Sequence, residues 1–182
     1  MKILFIGPQG SGKSTQASLL AEYLKVPFLS FGQILRELAK VDTDEGRQIK
    51  ADMAAGKLID DWIAAKVMKQ RAESPDCHEG FVSDGYARSL HQLSLYDPKF
   101  DFVIHMDVPD EEVISRLQKR AEVEGRHDDT NEAIKVRLAS YHQFTKPVLE
   151  KYHQAGILKT ISGIGDITEI QSQIRAAIGQ NG

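Results

Sequence analysis

The sequence holds a single cysteine, Cys77, in 182 residues. That rules out an intrachain disulfide and a zinc site built on several thiolates, and it favours a reducing compartment. Long apolar stretches are also missing, since no run approaches the roughly 20 residues needed to span a bilayer. The opening MKILFIGPQG turns polar and glycine-rich too soon for a signal peptide. A cytoplasmic location is expected, with no membrane contact. Nor is positive charge in excess: 23 Lys and Arg stand against 26 Asp and Glu, a formal net charge of -3. Nucleic acid therefore meets no general attraction and is not expected as a partner. Any anion site has to be built locally, by clustering Arg and Lys. With 41% hydrophobic and 27% charged residues, the remaining balance suits one folded domain over residues 1–182.

Short apolar runs alternate with helical patterns. Strands are expected at 2–6 (KILFI), 26–30, 80–84 (GFVSD), 100–108 and 156–162. Helices are expected at 14–24, 32–40, 44–56, 61–72, 109–122 and 166–178, with a long one at 131–155 bent at Pro147. Trp62 is expected to pack its helix against the neighbouring segment. Such alternation implies an α/β fold, a five-stranded parallel sheet covered by helices on both faces. Ligands of such sheets bind at the carboxyl ends of the strands. Two places interrupt the rhythm, the paired helices across 32–56 and the polar stretch EVEGRHDD at 122–129. Both read as flaps over a site.

Between the first strand and first helix stands Gly7-Pro8-Gln9-Gly10-Ser11-Gly12-Lys13-Ser14, a full match to the phosphate-binding loop G-x-x-x-x-G-K-[ST]. Glycines let backbone N–H groups turn toward phosphate oxygens, and the helix start adds positive potential. Lys13 reaches the outer phosphates, and a hydroxyl is available for Mg²⁺. The loop alone names no reaction. Phosphoryl transfer between two phosphorylated substrates needs positioning and neutralisation of spread negative charge, so arginines from separate elements are expected. The chain offers Arg36, Arg88, Arg116, Arg120, Arg126 and Arg137. Taken singly, Arg116, Arg120 and Arg137 are ordinary helix arginines, and Asp84 at a strand end reads either as a cap or as part of a metal shell.

Along nearly its whole length the chain resembles the adenylate kinases, a short-lid form of the nucleoside monophosphate kinase family. GPQGSGKSTQ resembles that family's opening loop, and LSFGQILRE (29–37) its acceptor segment, with Arg36 where an arginine holds the AMP phosphate. GKLIDDWI (56–63) resembles the turn along the acceptor base, which brings in Lys57 and Ile59. GFVSDGYARSLHQ (80–92) is the most distinctive match: Gly85, Arg88 and Gln92 fall at acceptor positions, and Asp84 at the carboxylate that orders the magnesium shell. Arg116 and Arg120 match triphosphate-facing positions, while Arg126 and Arg137 match arginines that bridge donor and acceptor.

The resemblance implies a P-loop kinase fold with a helical acceptor-binding insertion at 30–59 and a short lid at 121–130. It implies transfer of the terminal phosphoryl of ATP to AMP, giving two ADP. It places the donor on Gly10, Ser11, Gly12, Lys13, Ser14, Thr15, Arg116 and Arg120. The acceptor falls on Phe31, Arg36, Lys57, Ile59, Gly85, Arg88, Gln92, Arg126 and Arg137. Lys13, Arg88, Arg120, Arg126 and Arg137 are the implied catalytic set, and Ser14 and Asp84 the implied Mg²⁺ residues, largely through water. A monomer without structural zinc is implied as well. A UMP or CMP kinase is the alternative, and a nucleotide-binding protein impaired in catalysis a more distant one.

Four departures from the family pattern stand out. Phe31 replaces a threonine beside the acceptor base, where its ring either stacks or turns into the core. Gln33 replaces an aspartate that helps order magnesium-bound water. Ser14 replaces a glycine. Tyr86-Ala87-Arg88 replaces Phe-Pro-Arg, and loss of the proline removes the easy route to a cis peptide, so a different backbone path is expected.

Overall fold

β1 (Lys2–Ile6) is apolar past its first residue because it is covered from both sides. Ile3 and Phe5 enter one core, Leu4 and Ile6 the other, as the two-residue repeat of a strand requires. The computed structural model describes residues 1–124 and 130–180. In it β1 pairs in parallel with β3 (Phe81–Asp84) and β4 (Phe102–Asp107). β2 (Phe28–Ser30) and β5 (Leu158–Ser162) complete a five-stranded parallel sheet of order β2-β3-β1-β4-β5. The fold is the expected α/β P-loop kinase fold.

One face of the sheet is covered by α1 (Lys13–Leu24) and α9 (Ile167–Ala177), through Ala17, Leu20, Ile170 and Ile174. The other meets α2 (Phe31–Leu38), α3 (Asp44–Ala54), α4 (Asp61–Ala72), α5 (Leu90–Leu95) and α8 (Lys146–Gln154), with Phe31, Leu35, Ile49, Met68, Leu93 and Val148 buried there. A smaller core joins α6 (Asp110–Glu124) to α7 (Asn131–Ser140) through Val113, Leu117, Ile134 and Leu138. The chain's crossovers leave β1 in opposite directions, to β2 and β3 on one side and to β4 and β5 on the other. A crevice therefore opens at the carboxyl end of β1. Register places Phe5 of β1 and Ser30 of β2 beside Asp84, the last residue of β3.

Three expectations are corrected. The helix over 131–155 is not one bent rod: α7 ends at Ser140, a π-helical turn spans Tyr141–Thr145, and α8 follows with Pro147 in its first turn. Pro147 has no N–H to donate and its ring crowds the carbonyl four residues back, so the turn widens ahead of it. Trp62 does not pack against the flap; it is 68% exposed. It shares a helix stripe with exposed Lys66 and Lys69, while Ala64, Ala65 and Met68 take the buried side of α4. Finally, the peptide Tyr86–Ala87 is cis without a proline. Its flanks are tied down: Tyr86 is wholly buried, and its one hydroxyl proton is shared between Tyr96 O at 2.7 Å and Gln92 O at 2.9 Å. Helix α5 is an element that the sequence pattern did not announce.

Leu4 is fully buried in the central strand. Leu4→Ala is expected to lower unfolding stability by about 2–5 kcal/mol, through lost transfer energy plus a residual cavity. Urea denaturation of the two proteins, with an unchanged m-value, checks this.

Candidate active site

The loop between β1 and α1 wraps an anion cradle. Gly10 and Gly12 hold φ of 87° and 88°, the left-handed region open to glycine at little cost. A side chain at Gly10 would also come within 3.0 Å of Leu117. Gly12 stands at the start of α1, whose first amides point at the cradle. Lys13 Nζ donates to Pro8 O at 2.6 Å and lies 3.4 Å from Ser11 Oγ, folding the lysine over its own loop. Ser11 is buried beneath the loop, whereas Ser14 and Thr15 are exposed at its mouth. The Ser14 hydroxyl donates to Asp84.

This mouth opens into a cavity of about 740 Å³. Gly10, Gly12, Lys13, Ser14, Thr15 and Asp84 line it together with Arg36, Arg88, Arg116 and Arg120. Arg116 is set by its Nε donating to Glu112 at 2.7 Å and its Nη1 donating to Gly163 O at 3.1 Å. The cations feel one another. Lys13 is pushed down to about 7, burial being the largest cause, with Asp84 pulling the other way and Arg88 and Arg120 adding to the shift. Arg88 is lowered by burial too, with Asp84 opposing and Arg137 adding.

A second, smaller cavity lies under α2 and the turn after α3. Phe31, Arg36, Lys57, Ile59, Arg88, Gln92 and Arg137 line it. Phe31 is a core residue, 3% exposed, with its ring edge-on to Tyr86 at 5.4 Å between centroids, and it forms this cavity's wall as well. Lys57 is exposed; its backbone N–H donates to Asp52 O at 2.9 Å. Gln92 is 2% exposed rather than a surface residue. Its Oε1 accepts from Arg88 N at 2.8 Å, so the acceptor half of the amide is already engaged. Its Nε2 has no protein partner among the described residues. Arg36 is steadied by Nε donating to Gln33 Oε1 at 3.0 Å. Gln33 thus serves an arginine where the family pattern has a carboxylate.

Between the two cavities a narrow space is lined by Lys13, Gly85, Arg88, Arg137 and Tyr141. Arg88 is held there by Nε donating to Gly85 O at 2.9 Å and by Thr145 Oγ1 donating to its carbonyl at 3.0 Å. Thr145 belongs to the π-helical turn. Arg137 Nη2 donates to Met53 O at 3.3 Å, and a side chain at Gly56 would strike Ala133 O at 2.7 Å, so the end of α3 lies against α7. Arg126, His127 and Asp128, and with them residues 125–129 of the expected 121–130 lid, lie outside the described residues.

Every other expected site residue therefore lies in or beside this cleft. Several lining residues were passed over, Ser30, Arg71 and Gln9 among them, and Gln9 borders all three spaces. It occupies a free position of the loop motif, so the pattern carries no signal for it.

A P-loop beside a cationic two-chambered cleft, at the switch point of a parallel sheet, defines a phosphotransferase with separate seats for two phosphorylated substrates. The family model for adenylate kinase matches residues 5–157. Relatives named adenylate kinase include one from Leptospira biflexa, 39% identical over 97% of this chain and 99% of its own length. Others come from Xylella fastidiosa, 38% identical over 98% of this chain and all of its own length, and Bifidobacterium longum, 38% identical over 96% and 97%. The chain belongs to the adenylate kinase family, whose reaction is the transfer of the terminal phosphoryl group of magnesium-bound ATP to AMP, giving two ADP.

The depressed Lys13 gives a proton signature. Above pH 7 the free protein holds this lysine largely neutral, and a bound polyphosphate favours its charged form. ATP binding at pH 8 is expected to take up a proton, approaching about one per site, and ATP affinity is expected to fall as pH rises through this range. Titration calorimetry in buffers of low and high ionisation enthalpy measures the uptake, and Lys13→Met is expected to abolish it.

Proposed function

We propose that the cleft runs the ATP–AMP reaction with a division of labour among its cations. The donor triphosphate lies on the loop amides with Lys13, Arg116 and Arg120. Ser11, Gly10, Gly12 and Thr15 shape or border that seat. The acceptor phosphate is held by Arg36. Arg88, Arg126 and Arg137 span the gap in which the phosphoryl group moves. An oxygen of the AMP phosphate attacks the terminal phosphorus, the bond to the ADP oxygen breaks, and the negative charge passes to that leaving oxygen. The nucleophile is already anionic, so a protein base is not needed. The observation that carries this reading is Arg88, which borders the donor cavity, the acceptor cavity and the space joining them. One guanidinium within reach of both substrates is what a shared, charge-spread transition state calls for.

Magnesium enters with ATP and supplies charge neutralisation. Ser14 and Asp84 would hold its shell: a hydroxyl and a carboxylate, meeting at the loop's mouth, are the hard oxygen donors that suit this ion. On this reading the lid carries no structural zinc, since the chain's one thiol is buried beside Arg71. Residues 30–59 form the acceptor insertion and 121–130 the short lid, each closing over its nucleotide to exclude water. The chain works as a monomer, as the family resemblance implies, and in the cytoplasm, since a lone thiol suits a reducing compartment. Adenine meets Ile59, the wall formed by Phe31, and the Nε2 donor of Gln92.

Gln92→Ala is expected to raise the AMP KM by an amount equivalent to about 1–3 kcal/mol, the usual cost of a buried polar edge left unpartnered. Turnover with AMP, UMP and CMP measured side by side checks this. Better use of a pyrimidine nucleotide by the wild-type protein would overturn the base assignment. In the same assay Arg36→Ala is expected mainly to raise the AMP KM, and Arg88→Ala to cut kcat by orders of magnitude, since of these two Arg88 alone acts on the moving group. Identical kinetic patterns for the two variants would refute the division.

A further inference from the structure

Two aspartates open α4, and they do different things. Asp60 is the cap: its Oδ1 accepts from Trp62 N at 3.0 Å and Ile63 N at 3.1 Å. The capping of α4 therefore does not fall to Asp61. Asp61 instead reaches across to the loop ahead of α5. Its Oδ1 accepts from Ser89 Oγ at 3.1 Å, and His91 Nδ1 lies 2.8 Å from its Oδ2. Neither phosphate chemistry nor helix capping explains a carboxylate spent this way.

The bonds continue inward. A serine hydroxyl has one proton to give. With that proton directed at Asp61, the Ser89 oxygen is oriented to accept from Gln92 N at 3.0 Å, which makes Ser89 the cap of α5. Ser89 is buried, at 7% exposure, so water does not readily replace either partner. Gln92 is thereby fixed at three atoms: its N–H by Ser89, its carbonyl by Tyr86 and its Oε1 by Arg88 N. What remains to face the acceptor cavity is Nε2. Chained hydrogen bonds of this kind polarise and stiffen one another. The chain begins one residue beyond the turn that carries Ile59 and ends on Arg88, so it joins the two walls of the acceptor cavity.

We propose that Asp61 is a positioning residue for acceptor recognition: through Ser89 it sets where Gln92 presents its amide and where Arg88 starts. It holds the exit of the acceptor insertion and the base-reading loop in one fixed relation. His91 braces the same carboxylate from the solvent side and is the minor arm, because its ring is exposed. This inference rests on the reading that Gln92 meets the acceptor base.

The test is steady-state kinetics with AMP and ATP varied separately. Asp61→Ala is expected to raise the AMP KM about tenfold, with the ATP KM changed by no more than about twofold. Asp61→Asn keeps an oxygen for Ser89 and is expected to restore most of the loss. In a Gln92→Ala background, Asp61→Ala is expected to add little, because both act through one contact. Ser89→Ala, which removes the relay hydroxyl, is expected to reproduce the same split and stands in if Asp61→Ala does not fold. Equal rises in both KM values, additive losses in the double variant, or a silent Asp61→Ala beside a strong Gln92→Ala would each overturn the inference alone. An unchanged AMP KM in Gln92→Ala would instead overturn the base-site reading, and this inference with it.

Discussion

Attraction between Asp84 and the buried cations around it is the constraint on which the cleft depends. Lys13 and Arg88 both feel this carboxylate, and each is destabilised by burial and by further cations. A protein of net negative charge has gathered its positive groups where they repel one another. Such a set is held by covalent geometry and hydrogen bonds, not by mutual comfort. Lys13 is tethered to Pro8, Arg88 to Gly85 and Arg36 to Gln33. The parallel register that sets Phe5 beside Asp84 brings the carboxylate to the loop's mouth. Sheet pairing and site electrostatics are therefore one arrangement seen at two scales.

On the proposed assignment, the two substrate seats are built on different principles. The donor seat uses backbone amides and a helix start, which read phosphate and are indifferent to the base. The acceptor seat is walled by side chains, Phe31, Ile59, Gln92 and Arg36, supplied by helices and turns that pack on one core. Ile6, the last residue of β1, belongs to that same core, so the acceptor walls and the loop after β1 share their packing.

Much of this was legible in the residues. The phosphate loop announces itself because its chemistry demands fixed residue types at fixed spacing. Strand β1 is a nearly continuous apolar run because both its faces are covered. The arginines were visible as a scattered set, but what gathers them is tertiary. What stayed hidden depends on contacts between distant segments. Asp61 and Ser89 are 28 positions apart, and no local pattern distinguishes Asp61 from the capping residue beside it. Gln9 occupies a free position of its motif. The π-helical turn is foreshadowed only by Pro147, and a proline alone does not say whether a helix bends or widens. No local pattern marks Gln92 as buried, because α5 is too short to show a periodic face.

The exposed indole of Trp62 has an optical consequence. The chain contains one tryptophan, and it stands on the second residue of α4, immediately past the turn that lines the acceptor seat. Its indole emission, excited at the red edge where the five tyrosines do not absorb, therefore originates from a single known place. Because the ring lies on the watery side of its helix, quenchers and energy-transfer partners reach it directly. The molecule carries its own spectroscopic label beside the turn that lines the smaller cavity, and that label can be read without modifying the protein.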